Sequence, residues 1–126
     1  MREESIDDRT HVLAVAGELD ALSAPKLGRR LMRLTSPGAS RRVIVDLSAT
    51  TFIDSTGLGV ILDALRNLAG GDGRLALVCP TQRLLRPFEI AGVTSRLDIF
   101  LTRDDASPPL PRRAPTTRAR PRYWQA

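Results

Sequence analysis

The run Arg42-Val43-Ile44-Val45-Asp46-Leu47 constrains this chain more than any other segment. Three successive β-branched residues crowd a helical backbone but fit a pleated strand, and an apolar run without alternation needs cover on both faces of its sheet. Strands of that kind are commonly parallel, and parallel neighbours need a crossover, usually a helix. The flanking sequence supplies both. Residues 11–17 (His-Val-Leu-Ala-Val-Ala-Gly) and 74–78 read as further buried strands, and 97–101 as a short last one. Between them, Ser23 caps a helix with Pro25 in its first turn and Leu27, Leu31 and Leu34 at helical spacing. Arg29, Arg30 and Arg33 fall on its wet side, and Ser36-Pro37-Gly38 stops it. The clearest helix starts near Ser55, where Leu58, Ile61, Leu62, Leu65, Leu68 and Ala69 form one stripe before Gly70-Gly71-Asp72-Gly73. A third helical piece spans 81–91 and ends at Gly92, and Pro87 inside it predicts a kink or a late start.

Strands alternating with helices predict an α/β fold, a mixed but largely parallel sheet of about four to five strands with helices packed against it. One domain over residues 1–105 accommodates it. From Ala106 onward the composition changes: five of the nine prolines lie there with several arginines, too little apolar surface to offset ordering entropy. Residues 106–126 are therefore expected to form a disordered tail, in which Pro108-Pro109-Leu110-Pro111-Arg112-Arg113 has the look of a polyproline ligand. The net charge of +5 belongs entirely to Arg112, Arg113, Arg118, Arg120 and Arg122, so the folded part is neutral and is not expected to bind nucleic acid. The apolar stretches fall short of the roughly 18 to 20 residues that span a bilayer, and no membrane association is expected. Cys79 is the only cysteine and His11 the only histidine, which excludes an internal disulfide and argues against a metal site or a cofactor. Cys79 reads as a core residue, His11 as a solvent-facing or edge residue at a strand start, and the setting as a reducing cytoplasm.

The informative stretch is Phe52-Ile53-Asp54-Ser55-Thr56-Gly57-Leu58-Gly59, after the β-branched strand and at the start of the best helix. Asp54 or Ser55 is placed to accept from the free amides of the first helical turn, and Gly57 and Gly59 keep side chains off the backbone surface. The bland reading is ordinary capping. The same geometry is also an anion site: a phosphate on Ser55 meets the positive end of the helix dipole and adds roughly two negative charges beside Asp54. On the helix face opposite the stripe lie Thr56, Val60, Asp63 and Asn67, so Val60 is expected to be an exposed apolar anchor.

Further segments in order and spacing point one way: Gly17-Glu18-Leu19-Asp20, Ser23-Ala24-Pro25, Val45-Asp46-Leu47-Ser48, and Phe88-Glu89-Ile90-Ala91-Gly92-Val93. With the Asp-Ser-Thr-Gly-Leu-Gly core, the sequence resembles the anti-sigma factor antagonists of the STAS domain family over about residues 8–102. The resemblance implies a binding protein rather than an enzyme. Unphosphorylated, it holds an anti-sigma factor with serine kinase activity and so releases the sigma factor. Phosphorylation by that kinase breaks the complex, and a serine phosphatase restores it. Carried over, the phosphoacceptor is Ser55, with Thr56 the lesser candidate; Asp20 and Asp54 are the acids beside the switch, and Thr56, Gly57, Val60 and Asp63 face the partner. Asp20 is expected near Ser55, since both sit at chain turns on one edge of the sheet.

Enzyme constellations are missing: no Gly-x-x-x-x-Gly-Lys-Ser/Thr loop, no Gly-x-Ser-x-Gly elbow, no second histidine. A phosphoaspartate receiver, with Asp46 or Asp54 as acceptor, needs a lysine after a late strand, and Lys26 is the only lysine. The closer rival is a phosphorylation-independent STAS adaptor subunit of a lipid-transport or sensory assembly.

Overall fold

A computed structural model describes residues 1–36, 41–69 and 71–106. Its sheet has five strands, β1 (Arg2–Ser5), β2 (Thr10–Leu19), β3 (Arg42–Ile53), β4 (Arg74–Val78) and β5 (Asp98–Phe100), side by side in sequence order. β1 is antiparallel to β2 and every other neighbour is parallel. The crossovers are α1 (Ala24–Leu34), α2 (Ser55–Leu68) and α3 (Gln82–Ile90), the last followed by a 3-10 turn at Thr94–Arg96. When each strand joins its immediate neighbour by a crossover of one hand, all the helices fall on one face. The main core lies there, with Leu27 and Leu31 of α1, Ile61 and Leu65 of α2 and Leu85 and Phe88 of α3 against Leu13, Val45 and Leu77 of the sheet. The other face carries a smaller cluster of Val12, Ile44, Ala76, Val78 and Phe100, closed by Ala106 of the short α4 (Arg103–Ala106). Residues of the tail from 107 onward, with their polyproline-like stretch, lie outside the described residues.

The predicted helices stand where expected, with informative differences. Thr81 caps α3 through Leu84 N (3.3 Å), so Pro87 does not delay the start; the helix runs through it and ends in a C-terminal cap at Gly92, whose φ is +73°. Ser23 occupies the N-cap position of α1 without capping it. β3 runs six residues past Leu47, where the β-branched run ends. Beyond Asp46, the last residue to pair with β4, it pairs with β2 alone through two register shifts. One shift leaves Val15 out of the ladder, and Thr50 Oγ1 donates to its carbonyl at 2.8 Å; the other lies at Gly17, whose φ of +79° suits glycine. His11 is half-buried inside β2, its Nε2 shielded, rather than facing solvent.

β1 and α4 were not legible as elements because both are polar, and ion pairs explain their places. Successive residues of β1 point to opposite faces. Glu3 meets Arg30 (2.6 Å) and Arg33 (3.2 Å) of α1, while Glu4 meets Arg103 (2.8 Å) on the other face. Arg103 Nε also donates to Asp46 (3.0 Å), only 7% exposed, whose carboxylate accepts from the Ser48 amide (2.9 Å) and hydroxyl (2.5 Å). Burial pushes the Asp46 carboxyl up, but Ser48 and Arg103 together hold it below its ordinary 3.8. A depressed carboxylate contributes stability that is complete above the ordinary value and is lost as the pH falls through the folded one. Arg103→Ala is accordingly expected to cost about 2 kcal/mol at pH 7 and to move the onset of acid unfolding to higher pH. A melting curve unchanged at both pH 7 and pH 4 would contradict this.

Candidate functional site

The paired ends of β2 and β3 project beyond β4 and carry the predicted switch. Leu19 pairs with Ile53, and the next amide, Asp54 N, donates to Leu19 O at 3.1 Å. That bond fixes where α2 starts. Asp54 takes the extended conformation of an N-cap and its Oδ1 accepts from Gly57 N at 3.0 Å, while its carbonyl accepts from Leu58 N at 2.9 Å. Capping thus falls to Asp54 alone. Ser55 and Thr56, the first two helical residues, are both exposed. Their amides belong to the first turn, where a helix has no partner for them, so the Ser55 hydroxyl sits in water at the positive end of α2.

The two glycines of the motif differ. Gly57 is buried, and a Cβ there would lie 2.5 Å from Leu19 O and 2.8 Å from Leu19 Cγ. A Cβ on Gly59 would meet nothing within 4 Å, which corrects the expectation that both spare the backbone. A glycine inside a helix costs about 1 kcal/mol against alanine. Gly59→Ala is therefore expected to stabilise the fold by about that amount, read as a raised midpoint in urea; a lowered one would contradict the open space.

Asp20 is tied to the start of α2 through the backbone, since its neighbour Leu19 accepts from Asp54 N and lies against Gly57. Its carboxylate serves its own turn: Oδ1 accepts from Leu22 N (3.0 Å), Ser23 N (3.2 Å) and Ser23 Oγ (3.3 Å). The Ser23 and Leu22 amides hold its carboxyl below the ordinary value. Ser23 Oγ in turn donates to Glu18 O (2.7 Å) and accepts from Asp20 N (3.0 Å), which is why it does not cap α1.

Val60 corrects the expected anchor. It is half-buried and packed against the core, and a Cβ on Gly28 of α1 would lie 3.1 Å from its Cγ1. Seven residues on, Asn67 Nδ2 donates to Thr35 Oγ1 at 3.4 Å. Val60 and Asn67 are thus turned to α1, because α2 is covered by a neighbouring helix as well as by the sheet. Asp63 is exposed and paired with Arg66. Of the predicted partner-facing set, Thr56 and Asp63 are on the surface, Gly57 is inside, and Val60 lies in the helix interface. Sequence reasoning missed Leu22, 93% exposed on the turn that Asp20 holds. Cys79 is buried, which pushes its thiol up to about 12 and away from reactivity. Among the described residues no helix is long and apolar enough to cross a membrane.

Comparison with known proteins agrees with this geometry. The STAS domain matches residues 3–106. The anti-sigma-B factor antagonist of Bacillus subtilis (strain 168) is 38% identical over 85 residues, covering 68% of this chain and 76% of that protein. Among solved structures, the anti-sigma factor antagonist SpoIIAA in its unphosphorylated form superimposes with a TM-score of 0.62 at 26% identity, over 71% of this chain and 81% of its own. The Bacillus cell fate determinant SpoIIAA in the phosphorylated form does so with a TM-score of 0.68 at 25% identity, over 83% and 94%.

Proposed function

The chain belongs to the STAS domain family, and from that premise we propose a cycle in which Ser55 is the switch of an anti-sigma factor antagonist. The antagonist function is shared with relatives at 37–38% identity. The unphosphorylated chain binds an anti-sigma factor with serine kinase activity and frees the sigma factor; transfer of phosphate to Ser55 ends that binding, and a serine phosphatase restores it. Supporting this reading above all is the division of labour at the start of α2: Asp54 carries the cap, so the exposed Ser55 hydroxyl can be modified without removing a bond the fold needs.

The physics of switching follows from burial. In a dry interface a serine hydroxyl costs little, whereas a phosphate brings about two charges that must lose water beside Asp54. The helix dipole offsets part of that within the free protein, so the phosphorylated chain stays folded. A phosphorylation-independent adaptor of a lipid-transport or sensory assembly is not favoured, since the relatives and solved structures reported above are antagonists. Gel filtration tests the antagonism: adding the unphosphorylated chain to a preformed complex of its anti-sigma and sigma factors should release the sigma factor. Sigma factor still bound at saturating antagonist would sink the reading.

A further inference from the structure

Leu22 is 93% exposed, and scattered exposed leucines need no explanation in general. What sets this one apart is how it is held. Its own amide donates to Asp20 Oδ1 (3.0 Å), the next amide donates to the same oxygen (3.2 Å), and Ser23 Oγ ties the turn back to Glu18 O (2.7 Å). Ala24 N closes the turn on Asp20 O at 2.7 Å. The backbone is fixed on both sides of Leu22, so an apolar side chain is presented to solvent with little left to order but its own rotamers. The fold does not use that side chain, which touches no core cluster.

The turn is also fused to the switch. Leu19, three residues before Leu22, accepts from Asp54 N at 3.1 Å. Three residues of chain reach at most about 11 Å, and with that bond and the backbone on either side of it the Cα atoms of Leu22 and Ser55 lie within about 21 Å of each other. A kinase that acts on Ser55 while forming a stable complex must cover roughly 800 Å² of this chain, a patch about 16 Å in radius. Such a patch is about 32 Å across, wide enough to take in both Ser55 and Leu22. Resting on the antagonist reading above, we infer that Leu22 is an apolar anchor for the anti-sigma factor, seated in a hydrophobic pocket of the kinase beside the one that receives Ser55. Asp20 and Ser23 act as positioning residues that preset the anchor.

The test is calorimetric titration of this protein with each purified serine-kinase-type anti-sigma factor of its own cells. Ser55→Asp, Leu22→Ala and Ile90→Ala are then measured on the one that binds. Ile90 is also an exposed apolar residue, 79% accessible, but it ends α3, away from the switch. Leu22→Ala is expected to lose tenfold or more in affinity with an unchanged melting temperature, and Ile90→Ala to bind like the parent. Leu22→Ala within twofold of the parent, with Ser55→Asp still weak, overturns the anchor and leaves the switch standing. Equal losses in Leu22→Ala and Ile90→Ala also overturn it. A parent protein that binds none of these kinases overturns both readings together.

Discussion

Gly57→Ala is expected to destabilise the protein by roughly 3 kcal/mol, lowering its melting temperature by roughly 12–24 °C. The added methyl would sit 2.5 Å from Leu19 O, a backbone atom that already accepts from Asp54 N. Leu19 is fully buried and paired with Ile53, so neither partner can retreat without opening the end of the β2–β3 pair. Moving α2 away instead stretches the Asp54 N bond and disturbs the cap, each worth about 1 kcal/mol. Alanine's better helix propensity returns about 1 kcal/mol of the loss. The same change two residues along, Gly59→Ala, has only that favourable part, so the two variants should move in opposite directions. Differential scanning calorimetry reads both, and a Gly57→Ala protein that melts with the parent would show the close approach to be wrong.

Ser55→Asp is expected to weaken the complex with the anti-sigma factor by about 3 kcal/mol, more than a hundredfold, without loss of fold. The carboxylate lies at an exposed first-turn position where the free protein tolerates or welcomes it. In the complex it must shed water beside Asp54, and one charge reproduces part of what a dianion does. Ser55→Ala removes the acceptor and adds no charge, so it should bind constitutively, even in the presence of Mg-ATP. Surface plasmon resonance with and without ATP separates the two variants, and indistinguishable binding by both contradicts a switch at Ser55.

What could be read from the sequence was what periodicity and turn chemistry report. The stripe of Ile61, Leu65 and Leu68 located α2, and Asp54 to Gly59 marked its start, because these patterns depend on near neighbours in the chain. β1 and the far half of β3 were illegible because their residues are polar and their partners distant: Glu3 finds Arg30 and Arg33, and Thr50 finds the carbonyl left over at Val15. Gly57 and Gly59 look alike in sequence, and only the position of Leu19 O separates a required glycine from a dispensable one. Val60 was misplaced for a related reason. One apolar stripe predicts one covered side, whereas α2 is flanked by both the sheet and α1. Leu22 belongs to no stripe, and its exposure emerged only with the turn that holds it.

The most direct test of the central claim is phosphopeptide mapping of the protein after incubation with Mg-ATP in extract from its own cells. The account predicts phosphate on Ser55, and none there in Ser55→Ala. A Ser55 left unmodified, in an extract whose kinase demonstrably phosphorylates another antagonist, would contradict it.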